Sequence, residues 1–408
     1  MYIKLMKLSS YRNLIFANII NRIGDTIDIL SFSWIVYQVT EKSSIAAITF
    51  AINNLPTAFI LPFAGAFVEK KNKRQIMVIC DFIRGSLVCI TLALFYLNYL
   101  SIAAIFLLTF SISLTEAFRI PASTSFILQV LPQEEREEGI TFNIMISTMV
   151  QIAGAAVGGS LINKCGIEIT LIVDMILFLL SGMGIFYIHH EEKMNIGLMK
   201  ESSIIIFQDG LYYIKEKKIL VSIILLGILA NMSMCPLDSL QTVIVVELLK
   251  KQADFLSYLN IALTMGMIVG GIGYTKIKKS IRAWTLFQFS FLYIGVLYII
   301  VSFLGKITTI HVIGYYFLIL LYLIYGIFAS FLINGLGLIL LDYTDFEYVA
   351  RINSLFSSIT TMSLPFTSFI TGIILRYIEI REFFLGIGVI ILILSIVGRK
   401  IVVKGEYL

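Results

Sequence analysis

The chain has 408 residues, of which 58% are hydrophobic and only 14% are charged, and its formal net charge is +5. Soluble domains usually carry about 25% charged residues, so this composition, with a mean hydropathy of +0.93, excludes a soluble globular protein. The small basic excess does not indicate nucleic-acid binding, because the Lys and Arg residues fall in short loops between apolar runs.

Twelve apolar runs are each long enough to cross a bilayer, which takes roughly 20 residues. We predict spans at 14–39, 45–68, 76–97, 101–120, 139–163, 167–188, 219–246, 255–275, 283–304, 309–341, 350–375 and 382–403. The longest polar interruption follows the sixth span. We therefore predict an all-α membrane protein whose twelve transmembrane helices form two six-helix bundles, at 1–190 and 219–408, joined by a central loop at 191–218.

The first span holds the residues on which the predicted mechanism depends. Asp25 and Asp28 lie near its middle on one helix face, and Arg22 lies one turn before Asp25. A charged side chain at mid-membrane costs on the order of 3 kcal/mol or more, so such groups usually face a protein interior or a watery cavity. We interpret Arg22, Asp25 and Asp28 as proton-coupling residues and Asn21 as a cavity residue. The alternative is a buried Arg22–Asp25 ion pair that only holds helices together.

A basic turn, Gly65-Ala-Phe-Val-Glu-Lys-Lys-Asn-Lys-Arg74, joins the second and third spans. It resembles the signature loop of the major facilitator superfamily: Gly, three residues, Asp, a basic residue, any residue, Gly, and two basic residues. Four positions match this pattern: Gly65, Lys70, Lys73 and Arg74. Glu69 replaces the Asp, and Asn72 replaces the Gly.

The sequence of this turn also predicts its conformation and its role. We expect Gly65 to let helices approach closely and Asn72 to adopt a left-handed conformation in place of glycine. The resemblance implies that Glu69 faces the start of the eleventh span, near 350–354, and latches the cytoplasmic gate.

Five further stretches are similar to the macrolide-efflux-like branch of drug:proton antiporters in the same superfamily. They are Gly24-Asp25, Trp34-Ile-Val-Tyr-Gln-Val-Thr40, Asp81-Phe-Ile-Arg84-Gly85, Phe118-Arg-Ile-Pro121-Ala122 and Leu131-Pro132. The resemblance covers about residues 10–190, and the second half matches only in hydropathy and span count. It implies two halves related by pseudo-symmetry that rock about a central cavity.

Two pairs of opposite charges in the third and fourth spans are predicted gating residues. Asp81 and Arg84 lie three residues apart and are expected to pair with each other, since opposite charges lower each other's insertion cost. Glu116 and Arg119 have the same spacing. The resemblance implies that Glu116 pairs with Lys70 or Arg74 of the signature loop.

Polar residues of the second half are further candidates. The predicted cavity residues there are Asn231, Asp238, Gln241 and Asn334. Pro236 predicts a bend in the seventh span, because a proline inside a membrane helix frees a backbone carbonyl. In the sixth span, Asp174 is expected to be satisfied by neighbouring polar side chains.

Lys and Arg are about three times as frequent in the loops on the side of the termini as in the opposite loops, which predicts a multi-pass protein of the cell membrane with cytoplasmic termini. We predict a secondary active transporter that exports amphipathic, macrolide- or drug-like molecules by alternating access with proton antiport. Its expected partners are that substrate, protons and the lipid bilayer, for a monomer that binds no nucleic acid.

Other functions remain as alternatives. One is an exporter or flippase of a lipid, siderophore or peptide without proton antiport. Another is a receptor or scaffold that transports nothing, although intramembrane acids argue against it. We expect no enzyme activity, cofactor or metal site, because the sequence contains no recognisable nucleophile, metal-ligand cluster or Walker loop.

Overall fold

A computed structural model of the chain describes residues 5–69, 71–190, 203–277, 283–307, 313–345 and 348–402, and every regular element in these ranges is helical. The main helices are α1 (Ser9–Thr40), α2 (Ser43–Glu69), α3 (Lys73–Tyr96), α4 (Ile102–Val130), α5 (Arg136–Phe186), α6 (Ser203–Glu216), α7 (Lys218–Ser239), α8 (Ala253–Ile277), α9 (Ala283–Ile307), α10 (Ile313–Asp342), α11 (Val349–Ile374) and α12 (Ile380–Val402). Short helical segments follow at Gln133–Glu135, Gln241–Val243 and, as a π-helix, Ile244–Leu248.

A single glycine divides α5 into two membrane-length segments. Gly166 has a φ of 86° and a ψ of 168°, a conformation open to glycine but strained for residues with a Cβ. With α5 counted as two spans and the short α6 set aside, the described helices supply the twelve predicted spans. Eight of the described helices, with α5 counted once, are long and apolar enough to cross a membrane by length and composition alone. The predicted all-α membrane fold is confirmed.

Several helix bounds differ from the predicted spans. The fourth span was expected to end at residue 120, but α4 continues through Pro121 as far as Val130. The range expected to be a loop between the two bundles contains α6, which is separated from α7 by Lys217 alone. Hydropathy does not detect these parts, because polar residues interrupt the apolar pattern there.

The chain forms two compact units. The first comprises Met1–Glu41 and Ile52–Lys200, and the second comprises Lys42–Ala51 and Glu201–Leu408. In the first unit α1 packs on α5, while α3 packs on both α4 and α5. In the second unit α8 packs on α10, α9 on α12, and α7 on α11. The close approach of α8 and α10 requires glycine: a Cβ at Gly266 would lie 1.9 Å from the Leu323 carbonyl oxygen.

Within the second unit, a polar cluster outside the membrane spans joins the end of α6 to the segment between α10 and α11. Lys217 Nζ donates to Asp345 Oδ2 at 2.9 Å and to Tyr213 Oη at 2.5 Å, and Tyr213 donates to the same carboxylate oxygen at 2.8 Å. The Tyr213 ring also stacks on Tyr348, with centroids 4.2 Å apart. The hydrogen bond from Lys217 lowers the pKa of Asp345, and the hydrogen bond with Tyr213 raises the pKa of Lys217.

Candidate functional site

The polar face of α1 is buried inside the first unit. Asn21, Asp25 and Asp28 are 2%, 8% and 5% exposed, and their spacing places them on one side of the helix. The Arg22 side chain is 41% exposed, and its Nη1 lies 3.5 Å from Asp25 Oδ2. The Arg22–Asp25 ion pair considered as an alternative in the sequence analysis therefore exists. It lies at the exposed side of a larger network of charged residues.

Arg84 of α3 is the main partner of both aspartates. Its Nη1 lies 2.5 Å from Asp25 Oδ1, and its Nη2 lies 3.6 Å from Asp28 Oδ2. The guanidinium carbon lies 4.1 Å from the ring centroid of Phe178, and the Arg84 side chain is 2% exposed. Burying such an ion alone costs several kcal/mol, so the two carboxylates are what makes its position tolerable.

A second buried ion pair joins Asp81 of α3 to Arg119 of α4. Arg119 Nε lies 2.5 Å from Asp81 Oδ1, and its Nη2 lies 3.3 Å from Oδ2. Asn21 donates to Oδ1 at 3.1 Å, and Ser181 donates to Oδ2 at 2.6 Å. With four hydrogen bonds and no exposed surface, the Asp81 carboxylate ties α1, α3, α4 and α5 together.

The predicted ion pair between Asp81 and Arg84 is wrong. Both residues lie on α3, but each finds its charged partner on another helix: Arg119 for Asp81, and Asp25 and Asp28 for Arg84. A two-point contact between a guanidinium and a carboxylate on neighbouring helices is stronger than a single contact along one helix. Arg119 therefore forms part of a structural tie.

Asp25 opens onto a polar cavity of about 200 Å³ inside the first unit. Twelve residues line it: Asn18, Asn21, Arg22, Asp25, Arg84, Glu116, Arg119, Ile120, Ser123, Thr124, Asn143 and Ser147. Drug-sized sites are usually about 300–1,000 Å³, so this cavity suits water and protons better than an amphipathic drug. The sequence reasoning missed Asn143 and Ser147, because uncharged polar side chains give little signal in a membrane helix.

Glu116 of α4 lines the same cavity as Asp25 and Arg84. Of the two partners implied for it by the resemblance, Arg74 donates to the Ile188 carbonyl at 2.5 Å, and Lys70 lies outside the described residues. The structure thus places Glu116 with the buried charges of α1 and α3.

The signature-like loop differs from its predicted conformation. Asn72 has a φ of −70°, and its side chain caps α3 by accepting from the Gln75 amide at 2.8 Å, so the predicted left-handed turn is wrong. Among the described residues, a Cβ at Gly65 would meet nothing within 4 Å, so the predicted close helix approach is wrong for this part of the chain. Lys73 is buried. The side chain of Glu69 lies outside the described residues, and its role as a latch stays a prediction.

Tyr298 of α9 forms two hydrogen bonds with the backbone of α7 beside Pro236. Its hydroxyl donates to the Ser233 carbonyl at 2.8 Å and accepts from the Leu237 amide at 3.2 Å. These two backbone groups are four residues apart, the spacing of an α-helical hydrogen bond, and the hydroxyl bridges them. This role could not be predicted from the sequence, because Tyr298 resembles any other aromatic residue of its span.

The candidate cavity residues of the second half are held by separate contacts. Asn231 donates to a carbonyl of α11 at 2.9 Å, and Gln241 accepts from Asn260 at 3.1 Å. Asp238 of α7 is partly buried, and the side chain of Asn334 lies outside the described residues. A role for these residues in a substrate cavity stays a prediction.

Asp174 of α5 lies directly against the Arg84 network. It is completely buried, and neither of its carboxylate oxygens has a hydrogen-bond partner among the described residues. It adjoins Asp28, whose Oδ1 also lacks a partner. Neighbouring polar side chains are expected to satisfy Asp174, and the described group that faces it is another acid, Asp28.

Comparison with known proteins gives one family. Residues 5–325 match the family model described as transmembrane secretion effector. Macrolide efflux protein A of Streptococcus pyogenes is 20% identical over 375 residues, which are 89% of this chain and 89% of that protein. The MFS-type transporter YkuC of Bacillus subtilis (strain 168) is 23% identical over 314 residues, which are 73% of this chain and 72% of that protein.

Solved structures with the same fold are transporters. The crystal structure of the nucleoside transporter NupG superposes with a TM-score of 0.78 at 10% identity, covering 95% of this chain and 98% of NupG. A bacterial homologue of the human lysosomal transporter Spinster gives a TM-score of 0.67 at 13% identity, covering 95% of this chain and 93% of that one. At these identities the likeness concerns the fold alone.

Proposed function

This chain belongs to the transmembrane secretion effector family of the major facilitator superfamily, and on that premise we propose that it exports amphipathic small molecules by proton antiport. Its family and its fold are those of multi-pass membrane transporters. The proposal adds the substrate class, the coupling ion, a monomeric state and a place in the cell membrane with both termini in the cytoplasm.

The observation that carries the proposal is the position of Asp25. This carboxyl is buried in a membrane helix, yet it lines a polar cavity and contacts Arg84 at 2.5 Å. When a proton binds Asp25, Arg84 loses its nearest counter-charge and is left with Asp28 at 3.6 Å. Binding of the proton therefore changes which helix positions are stable, and such a charge change can favour one conformational state by roughly a few kcal/mol.

A larger cavity in the first unit supports an amphipathic substrate. Its volume is about 660 Å³, and apolar side chains of α2, α3 and α4 line most of it, while Lys71, Asn72 and Gln75 supply polar groups. This volume lies within the range of roughly 300–1,000 Å³ that is usual for drug-sized ligands. The names of macrolide efflux protein A and of the multidrug efflux pump Tap of Mycobacterium bovis, which is 22% identical over 320 residues, point to the same class.

Efflux from proteoliposomes under an imposed pH gradient tests the proposal. The substrates are a macrolide and a fluorescent amphipathic dye, and the proteins are wild type, Asp25→Asn and Glu41→Gln. Glu41 is exposed at the end of the same helix, so its variant controls for the loss of one carboxylate. We expect wild type and Glu41→Gln to transport, and Asp25→Asn to lose gradient-driven transport by at least about tenfold while it still binds substrate.

Other outcomes identify the alternatives. Equal transport by Asp25→Asn and wild type contradicts coupling at Asp25. If wild type transports a fluorescent lipid but no drug, with no dependence on the pH gradient, the protein is an exporter or flippase, which the apolar cavity with Lys71 at its polar part would also suit. If no drug, lipid, siderophore or peptide is transported, a receptor or scaffold role replaces the proposal.

A further inference from the structure

The charged groups around Arg84 in the first unit do not balance if every acid is ionised. Five carboxyl groups lie in this region: Asp25, Asp28, Asp81, Glu116 and Asp174. Three guanidinium groups accompany them: Arg22, Arg84 and Arg119. The acids thus exceed the bases by two. An uncompensated charge inside a membrane protein is costly, so such an excess favours protonation of the carboxyls that have no cation at hand.

The excess is concentrated where Asp174 meets Asp28. Arg84 reaches only Oδ2 of Asp28, at 3.6 Å, and no described ion pair involves Asp174. Three buried carboxylate oxygens have no hydrogen-bond partner among the described residues: Asp28 Oδ1 and both oxygens of Asp174. Asp174 lies close to α1, since a Cβ built at Gly24 would lie 3.4 Å from Asp174 Oδ1, which is van der Waals contact.

Two ionised carboxylates cannot satisfy each other. Each oxygen is an acceptor, so a hydrogen bond between the two side chains requires a proton on one of them. Side-by-side carboxyls in a site of low polarity therefore hold one proton between them. A protonated partner would give these oxygens the donor that they lack.

We propose that Asp28 and Asp174 share one proton and form an occluded proton-binding site behind Arg84. This inference rests on the proposed proton antiport and extends it, because it adds a second proton position to Asp25. The pair is absent from the residues that line the polar cavity, whereas Asp25 and Arg84 belong to them. The charged groups that face the pair are Asp25 from α1, Arg84 from α3 and Glu116 from α4.

The position of Arg84 connects the two proton positions. It contacts Asp25 at 2.5 Å and Asp28 at 3.6 Å, so protonation of Asp25 leaves Asp28 as its only ionised partner among these two. The ionised form of Asp28 is then favoured. The O–H bond on Asp28 breaks, an O–H bond on Asp174 forms, and the pair keeps its single proton while its negative charge moves next to Arg84.

Infrared spectroscopy of the purified full-length protein in lipid nanodiscs tests the shared proton without requiring a substrate. A protonated carboxyl has a C=O stretch that is separate from the carboxylate bands. We expect wild type near neutral pH to show this signal and Asp174→Asn to lose the part of it that the pair contributes, because Asp28 then ionises beside Arg84. Glu168→Gln, an exposed carboxyl on the same helix α5, should keep the signal. A spectrum unchanged by Asp174→Asn overturns the proposal.

A second variant covers the case in which Asp174→Asn does not accumulate. In Asp28→Asn only Asp174 can bind the proton, so the infrared signal should remain. Its frequency should shift, because the acceptor of the Asp174 hydrogen bond changes from a carboxylate to an amide. An unshifted signal contradicts sharing between the two residues. Sodium that raises the melting temperature of wild type, but not of Asp174→Asn, would identify a cation site in place of a proton site.

The pH dependence of stability gives an independent reading. The folded pair keeps a proton that free aspartates release, so raising the pH should lower the melting temperature of wild type and of Glu168→Gln more than that of Asp174→Asn. Equal slopes in all three proteins contradict the proposal. If wild type shows the infrared signal but no transport driven by a pH gradient, antiport is refuted and the pair is not. If wild type shows antiport but no infrared signal, the pair alone is refuted.

Discussion

Three buried aspartates of the first unit have the same chemistry and three different environments. Asp81 accepts four hydrogen bonds and is held by Arg119. Asp25 has a short contact with Arg84 and faces a polar cavity. Asp174 has no donor among the described residues. Because donors already satisfy both oxygens of Asp81, we propose a structural role for it and proton exchange for the other two.

Asp81→Asn tests the structural role at this scale. The substitution removes the counter-charge of Arg119 and leaves a buried guanidinium without compensation, which costs about 3 kcal/mol or more. We expect a clear fall in the melting temperature of the detergent-solubilised protein. Ser181→Ala, which removes one hydrogen bond to the same carboxylate and costs about 1 kcal/mol, serves as the control. If the two variants melt alike, Asp81 is not the tie between these helices.

At this scale the sequence located the charges inside the helices better than it predicted their partners. A charged residue in an apolar run is easily recognised, and its insertion cost indicates that it has a role. Asp25, Asp81 and Arg84 were singled out in this way. Partners on other helices depend on how those helices are rotated and packed. The spacing of Asp81 and Arg84 along α3 therefore suggested the wrong ion pair.

At the scale of the helix, α7 shows how a side chain supports the backbone next to a proline. Pro236 lies in its last turns, and the hydroxyl of Tyr298 bridges the Ser233 carbonyl and the Leu237 amide. Immediately beyond, Ile244–Leu248 forms a π-helix. Irregular helical backbone in a membrane survives where side chains satisfy the groups it frees, and Tyr298 supplies that satisfaction here.

Tyr298→Phe removes the bridge and keeps the ring. Two buried backbone groups lose their partner, which costs about 1–3 kcal/mol. We expect faster amide hydrogen exchange in the peptide that covers residues 233–237, measured by mass spectrometry. Tyr258→Phe, in which the lost hydroxyl belongs to a half-exposed side chain, should leave exchange in that peptide unchanged. Identical exchange in both variants would mean that the helix closes without the tyrosine.

Hydropathy predicted the helices well and their ends less well. A run of roughly 20 apolar residues leaves few options in a bilayer other than a helix. The features that were missed depend on tertiary context: α4 continues through Pro121, and Asn72 caps α3 in an extended conformation. Composition around these residues is compatible with a loop, so only the packed structure decides.

At the scale of the whole molecule, orientation in the membrane remains a prediction from loop charges. The turn between the two halves of α5 offers a direct test, because Cys165 is exposed there, next to Gly166. With cytoplasmic termini, this turn follows the fifth span and lies on the outer side. Cys89 is also exposed, but it lies within α3, where its thiol would face lipid.

Thiol labelling reads out that orientation. We expect a membrane-impermeant maleimide to label intact cells that produce wild type, because Cys165 then faces the outside. Cys165→Ser should abolish labelling, and Cys89→Ser should leave it unchanged, since a thiol that faces lipid is inaccessible to a membrane-impermeant reagent. Labelling that requires permeabilised cells would reverse the assigned orientation.

The Asp81–Arg119 pair has a consequence for how the chain enters the membrane during its synthesis. Each residue alone would add on the order of 3 kcal/mol to the insertion of its own helix. Only the short segment 97–101 separates α3 from α4, so the second helix emerges from the ribosome soon after the first. We therefore expect the two helices to leave the translocon together as a hairpin. The opposite charges would then pair before lipid surrounds either helix.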